Sequence, residues 1–415
     1  FPSVSAGWLM SEEEFIKDAL PVVSNMKLRA SYGVVGNNNI GDYSSIGLMS
    51  NTNYIFNGNK VGGYSPSSFS NPDLGWEKTQ TIDIGIDLGF VKNRINLSLD
   101  YYIANTKDLL LNVPIPQITG FGTALQNIGK IQNRGFEVEL MTKNIVGTFN
   151  WSTNFNLSYN NNEVKQLGPD GSPIIGYQEG FPITKTEIGE SIGNYYLFKT
   201  DGVFKDEEDC RVNKNMSYAN KNPQPGDIKY KDMNGDGFID GADQWRIGKN
   251  SFPRGNYGIY ANLSWKGFSA NILFQGATSR DMYIEDVVRG QSTGGYTMVY
   301  PYQMDYWMPD NTNAKFPRIA MNSSVNGNNN YVTSDFWLVN GRYIRLKSLQ
   351  LGYDFRSVLL KNIKWLYKCQ VVLSGQNLFT ISPATKYGFD PENGSTNNYD
   401  YPMQRVYAIS LNLGF

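Results

Sequence analysis

The stretch TIDIGIDLGFVKNRINLSLDYYI, Thr81 to Ile103, decides the fold. Its first half sets Ile82, Ile84, Ile86, Leu88 and Phe90 against Asp83, Gly85, Asp87 and Gly89. Its second half sets Ile95, Leu97, Leu99, Tyr101 and Ile103 against Asn96, Ser98, Asp100 and Tyr102. Successive side chains of a strand point to opposite faces, so this period of two predicts two strands, each with one apolar and one polar face. The polar VKNR between them reads as the turn of a hairpin.

The same division recurs outward from this hairpin. RVYAISLNLGF at the end of the chain places Tyr407, Ile409, Leu411, Leu413 and Phe415 on one face, with Ala408, Ser410, Asn412 and Gly414 on the other. NWSTNFNLSY gathers Trp151, Phe155, Leu157 and Tyr159, and NYGIYANLSW gathers Tyr257, Ile259, Leu263 and Trp265, with FSANILFQG as its partner. A soluble extracellular β-sandwich, an adhesin or carbohydrate-binding module, would alternate too and is the alternative reading. Three features favour a membrane barrel. The strands run to about ten residues, the length a tilted strand needs to cross a bilayer, where sandwich strands average five or six. The polar face is almost wholly Asn, Ser, Gly, Asp and Gln, which suits a wall facing water inside a wide barrel. Trp8, Phe90, Trp151, Tyr159, Trp265 and Phe268 stand at strand ends, as an interfacial girdle would.

Composition agrees and excludes much else. The 415 residues carry 27 Tyr, 22 Phe, 8 Trp and 42 Gly with a charged fraction of only 18%, a profile of aromatic-rich strands joined by polar turns. A net charge of −1 supplies no electrostatic footprint for nucleic acid. The absence of His removes His-based triads, general bases and zinc sites. Cys210 and Cys369 are too far apart in sequence to form a CxxC site. No run of apolar residues is long enough for a spanning helix, and the mean hydropathy of −0.41 is compatible with a barrel, in which only every second residue meets lipid.

Short turns at Lys92 to Arg94, Val146 to Thr148 and Lys266 to Gly267 alternate with long connections near Val34 to Leu74, Asn112 to Arg134, Gly168 to Ser251, Asp281 to Asn340 and Ser382 to Met403. Outer-membrane barrels keep short turns on the periplasmic side and long loops outside, so the last strand runs inward. SEEEFIKDALPVVSN and SVLLKNIKWLYK read as longer periplasmic turns carrying a short helix or irregular turn, and RYIRLKSLQLGYDF changes phase at a bulge near Lys347. The count is about eleven strands of a larger barrel, with further strands expected before Phe1.

Three groups of side chains are candidates for chemistry. In KDMNGDGFIDGADQ, Asp232, Asn234, Asp236, Asp240 and Asp243 occupy positions one, three, five, nine and twelve of a calcium loop. Phe238 offers its carbonyl at seven and Gly237 the turn at six. The flanking helices of the usual motif are missing, and Asp243 replaces the usual bidentate Glu. The loop is expected to bind Ca2+ structurally; an Asp/Gly/Asn turn without metal is the simpler reading. In STGGYTMVYPYQMDYWMPD, Tyr296, Tyr300, Tyr302, Tyr306 and Trp307 are candidates for stacking on substrate or for contact with a lid, against plain loop packing. Asp83, Asp87, Asp100, Glu137 and Glu139 could form a glycosidase-like pair, but carboxylates on a watered pore wall are the ordinary case, and no enzyme is expected.

FPSVSAGW, MKLRASYGVVGNNNIG, NPDLGWEKTQTIDIGIDLGF, IQNRGFEVEL, GDIKYKDMNGDGFIDGADQWRIG, YWMPDNTNAKFPRI and SDFWLVNGRYIRLKSLQLGYDF occur in this order. Together they resemble the C-terminal half of a SusC/RagA-type TonB-dependent outer-membrane transporter. The resemblance runs from Phe1 to Phe415 and implies an all-β fold, an antiparallel transmembrane β-barrel segment of a 22-stranded barrel with long extracellular loops. It implies a plug and a TonB box that lie outside this chain. It also implies a SusD-type surface lipoprotein, TonB and outer-membrane lipid as partners, in a Gram-negative outer membrane. The expected activity is active import of an oligomeric nutrient, an oligosaccharide or a peptide.

Overall fold

The computed structural model describes residues 1–114, 117–178, 181–213, 223–247, 250–284, 300–319, 329–393, 401 and 403–415. Its strands are β1 (Ser3–Leu9), β2 (Val23–Asn37), β3 (Met49–Phe56), β4 (Asn59–Pro66), β5 (Glu77–Phe90), β6 (Ile95–Pro114) and β7 (Thr123–Ile145). There follow β8 (Phe149–Gln166), β9 (Ile174–Gln178), β10 (Phe181–Thr186), β11 (Asn194–Phe198), β12 (Thr200–Val203), β13 (Ile228–Tyr230) and β14 (Gln244–Arg246). The last are β15 (Gly255–Trp265), β16 (Phe268–Thr278), β17 (Asp281–Tyr283), β18 (Leu338–Asn340), β19 (Tyr343–Asp354), β20 (Lys368–Ile381) and β21 (Val406–Gly414). Among the described residues the helices are short: α1 (Glu14–Ala19), α2 (Glu207–Val212) and α3 (Phe355–Val358). No described helix is long and apolar enough to cross a membrane.

Eleven strands form one sheet in the order β1-β2-β5-β6-β7-β8-β15-β16-β19-β20-β21, so each long strand pairs with the next long strand in sequence. The remaining strands belong to small sheets inside the long connections: β3-β4, β14-β11-β10-β9, β12-β13 and β17-β18. The turns match the expected positions. Val91, Lys92 and Asn93 have φ of 52°, 55° and 57°, and Lys266 and Gly267 have 44° and 89°, the positive values that a tight hairpin between right-twisted strands demands. α1 and α3 occupy the two longer turns, β1 to β2 and β19 to β20. The expected long connection Asn112 to Arg134 is shorter than the sequence suggested, because β6 continues to Pro114 and β7 begins at Thr123. Strands of 20 and 23 residues exceed what a bilayer requires, so their ladders extend past the apolar band.

The chain separates into two compact units. The first comprises Phe1–Val138, Asn160–Ile174 and Thr186–Ile192, the second Glu139–Tyr159, Ile175–Lys185 and Gly193–Phe415. In the first unit the register puts like with like. Leu28, Ile86 and Leu99 form one row and Ala30, Ile84 and Tyr101 another, with Ile84 and Tyr101 exposed. On the opposite face Arg29, Gly85 and Asp100 share a row beside Lys27, Asp87 and Ser98. Arg29 donates two bonds to Asp87, of 2.8 and 2.9 Å, and one of 3.0 Å to Asp100; the Ser98 hydroxyl donates to Asp87 at 2.6 Å. The guanidinium reaches across the sheet because Gly85 leaves the space. A Cβ there would lie 2.1 Å from Asp100 Oδ1 and 2.8 Å from Arg29 Nη2. Amides continue the pattern, with Asn160 and Asn162 both donating to Asn133, at 3.1 and 3.0 Å, and Gln132 to Asn105 at 2.9 Å.

The second unit repeats the division. Phe155, Ile259, Phe274, Leu346 and Phe379 form one apolar row, and Ser152, Asn262, Asn271, Gln350 and Ser374 one polar row. Asn262 donates to Asn271 at 2.7 Å. Along β21, Tyr407 and Ile409 are 71% and 73% exposed, too much for a sheet that covers its apolar face with a second layer. Lys347 is skipped in the pairing of β19 with both neighbours, which is the expected bulge. At the short-turn end, Phe268 meets Tyr353 at 4.4 Å, Tyr353 meets Phe355 at 4.8 Å, and Trp365 stacks on Phe415 at 5.6 Å.

The contacts around Gly85 make a direct test of the two-faced wall. Gly85→Leu in the full-length protein forces Arg29 and Asp100 apart, an overpacking cost of about 1–3 kcal/mol. Less heat-modifiable barrel on unboiled gels and a lower urea midpoint are expected, whereas wild-type behaviour would contradict the close approach.

Candidate functional site

The long connections of the second unit fold around a core of their own. Leu197, Phe198, Ile228, Tyr230, Met282, Ile284, Phe316, Tyr331, Trp337 and Val339 are buried in one cluster, none of them on the eleven-stranded sheet. Burial of this many aromatic and aliphatic groups fixes loops that would otherwise lose too much conformational entropy to hold one shape.

A buried polar knot ties the segments together. Asp227 and Asn330 are both fully buried. Asp227 accepts from Arg318 Nε at 2.6 Å, from Asn330 Nδ2 at 3.1 Å and from the Gln224 amide at 3.0 Å. Asn330 in turn accepts from the Ile228 amide at 2.7 Å, and its carbonyl takes the Trp337 indole N–H at 3.1 Å. The carboxyl group is thus paired with a guanidinium and hydrogen-bonded, the condition under which burying a charge is tolerable. Asp335 similarly accepts from the amide and hydroxyl of Thr200, at 2.8 and 2.6 Å. A second knot holds the last long connection to the wall. Arg345, 1% exposed, grips Asp390 with both contacts at 2.6 Å and donates to Thr380 at 2.8 Å. Its Nη1 stands 3.0 Å from Glu392, off the line of a hydrogen bond, while Lys347, on the same face of β19 as Arg345, donates to Glu392 at 2.9 Å.

The aromatics singled out in the sequence divide. Tyr296 lies outside the described residues. Tyr300 stacks on Tyr302 at 5.4 Å with ring planes 4° apart, and Tyr302 also meets Phe316 and Tyr387, at 5.8 and 5.1 Å. Tyr306 is half-buried against the same cluster. Trp307 lies over Gly226, whose φ of 85° and missing Cβ, which would sit 2.5 Å from the indole, make that approach possible. Much of these ring faces is therefore already used in packing. Tyr195 is held up to about 12 by burial, with its hydroxyl accepting from the Tyr283 amide at 3.3 Å.

The acidic loop lies between β13 and β14, flanked by strands. Gly235 and Gly237 take φ of 79° and 85°, the conformation that glycine at the sharp turn allows. Asp232 accepts from the amides of Gly235 and Gly237, at 2.5 and 2.7 Å, and these bonds hold its carboxyl below the usual range. Asp243, fully buried, accepts from the amides of Met233 and Asp240, each at 2.8 Å. Asn234 donates to Asp236 at 2.9 Å, the Phe238 amide donates to Asp236 at 2.9 Å, and the Ala242 amide to Asp240 at 2.8 Å. Among the described residues no three Asp, Glu, Cys or His side chains converge as a metal-holding group. The loop is closed instead by backbone N–H donors. A carboxylate offers about four lone-pair sites, so acceptor capacity for a hard cation remains.

No catalytic constellation emerges among the described residues. Asp87 and Asp100 share Arg29, and Glu139 accepts from Asn154 at 3.3 Å. The Cys210 thiol, on α2, is pushed up to about 11 by burial and by Asp227, Asp209, Asp206 and Glu207, so it is not a nucleophile at neutral pH. The small sheets and the buried knots escaped the sequence reading. One signal was available: Asn57 and Gly58, with φ of 50° and 77°, turn the β3-β4 hairpin and are the commonest two-residue hairpin pair.

Residues 1–195 match the family described as TonB dependent receptor-like, beta-barrel. A TonB-dependent receptor of Formosa agariphila is 34% identical over 461 residues, covering 100% of this chain and 42% of the relative. The TonB-dependent receptor SusC of Bacteroides thetaiotaomicron is 29% identical over 436 residues, covering 100% of this chain and 40% of SusC. The RagAB peptide importer in its open-open state superposes with a TM-score of 0.80 at 25% identity, covering 100% of this chain and 42% of that one. The chain therefore spans about two fifths of the length of the relatives it matches.

Proposed function

We propose, from the premise that this chain is part of the β-barrel of a SusC/RagA-type TonB-dependent receptor, that the whole protein imports an oligomeric nutrient across the outer membrane. The observation that carries this is the two-faced sheet. One face is an exposed apolar band suited to lipid, and the other an Arg, Asp, Asn and Gln wall suited to a watered lumen. Transport needs no bond to be broken, and the relatives are receptors and transporters by name. The substrate is a glycan or a peptide, the latter favoured by the likeness to a peptide transporter.

Import of this kind works with TonB, which supplies the energy, and with a SusD-type surface lipoprotein as lid. The β3-β4 hairpin supports the lid: Tyr54, Ile55, Phe56 and Tyr64 are all exposed on a long connection, an apolar surface fit for a partner. Tyr300, Tyr302, Tyr306 and Trp307 stand in the loop core of the second unit and would meet substrate or lid at their free edges; Tyr296 is the remaining candidate of that segment. Cells bearing or lacking the full-length protein, offered labelled oligosaccharides and peptides, test the reading. Uptake that disappears with the protein, and again when the proton gradient driving TonB is collapsed, is expected; uptake indifferent to both would contradict it.

Calcium in the loop Asp232 to Asp243 is part of the same reading. Asp232, Asn234, Asp236, Asp240 and Asp243, with the Phe238 carbonyl, are hard oxygen donors at calcium-loop spacing, and the ion would hold the connection rigid so that less entropy is lost on binding. Calorimetry on the detergent-purified full-length protein should show calcium heat that is lost in Asp236→Ala. An absence of heat in the wild type would assign the loop's order to its backbone hydrogen bonds alone.

A further inference from the structure

A cleft of about 440 Å³ in the second unit is lined by Tyr257, Thr278, Arg342, Ile344, Ile381, Pro383 and Lys386, among others. Its floor is built by register. Tyr257, Gly276, Ile344 and Ile381 form one row on the apolar face, the next row outward from Ile259, Phe274, Leu346 and Phe379. Gly276 vacates its place in that row. A Cβ there would lie 2.2 Å from the Tyr257 ring, which crosses the gap so that its hydroxyl donates to the Tyr343 carbonyl at 3.1 Å. The walls are cationic. Arg342 precedes β19 at the parity of Ile344, and Lys386 sits on the 3-10 turn Pro383–Tyr387, where positions three apart eclipse and so place it beside Pro383. Among the described residues neither Arg342 nor Lys386 has an ion-pair partner, although the nearby Arg345 and Lys347 are paired with Asp390 and Glu392 on the polar face.

The height of the cleft fixes what can reach it. From the aromatic end at Trp265 to Tyr257, β15 advances roughly 26 Å at about 3.3 Å per residue, or ~20 Å of membrane depth at a tilt near 40°. The apolar band of an outer-membrane barrel is about 25 Å tall, so the cleft opens at the boundary between the acyl chains and the headgroups of the outer leaflet. An unpaired Arg and Lys above an aromatic and aliphatic floor match an amphipathic anion, with phosphate above and chain below. We infer that this cleft binds a phosphate-bearing lipid headgroup of the outer leaflet.

This inference rests on the outer-membrane reading, and the experiment separates the two. The full-length protein in detergent is given bis-phosphorylated lipid A, the same lipid with its phosphates removed, or inorganic pyrophosphate, and bound molecules are counted by native mass spectrometry. The wild type is expected to retain the phosphorylated lipid and the double variant Arg342→Gln, Lys386→Gln to bind it about tenfold or more weakly. Arg342→Lys should keep most of the binding. Unchanged heat-modifiability of the double variant shows that the barrel itself is intact. Equal retention by the double variant, equal binding of the dephosphorylated lipid, or displacement by equimolar pyrophosphate would each overturn the inference.

Discussion

The eleven-stranded sheet follows from one constraint: a strand in a bilayer must give all its N–H and C=O groups to its neighbours while its two faces meet opposite solvents. An unsatisfied backbone group in hydrocarbon costs several kcal/mol, so the long ladders are obligatory. The side chains then sort by parity. Ion pairs such as Arg29 with Asp87, each about one-third exposed, are worth no more than about 1 kcal/mol where they meet water. They shape the wall and its charge; the ladder and the lipid-facing rows hold it.

Gly85 and Gly276 show how the sheet places function on its two faces. At Gly85 the missing side chain lets a guanidinium bridge two carboxylates on the polar face. At Gly276 it lets a tyrosine lie across its row on the apolar face and floor a cleft. Lys347 serves differently: it lies at the parity of Arg345, unpaired at the bulge beyond which β19 continues in the other phase, and its ammonium donates to Glu392. The loop layer is a separate solution, a water-soluble core with paired buried charges standing at the ends of strands that need neither.

The sheet was legible because period two runs through long stretches of its strands: Ile82, Ile84 and Ile86 against Asp83 and Asp87 could be read without knowing their partners. The turns at Lys266 and Gly267 and the bulge at Lys347 were local for the same reason. The loop core was not legible. Asp227 and Asn330 are separated by 103 residues, and β13 and β18 are three residues each, too short to show a period. Trp307 could be read either as a stacking platform or as loop packing, because nothing local reveals that Gly226, 81 positions earlier, lies against its ring. The acidic loop was recognised by spacing, which places oxygens but does not say which of them the backbone amides will take.

One face of this sheet meets lipid and the other water. Single nitroxide labels at Ile82, Asp83, Ile84, Ile86 and Asp87 test it most directly, in the full-length protein with Cys210 and Cys369 replaced by Ser and reconstituted into lipid. Oxygen collision should peak at Ile82, Ile84 and Ile86, and collision with a water-soluble nickel chelate at Asp83 and Asp87, so that the two profiles alternate in antiphase. Equal access of the nickel chelate to both sets would contradict the account, and exclusion of both oxygen and the chelate from Ile82, Ile84 and Ile86 would return the chain to a soluble sandwich.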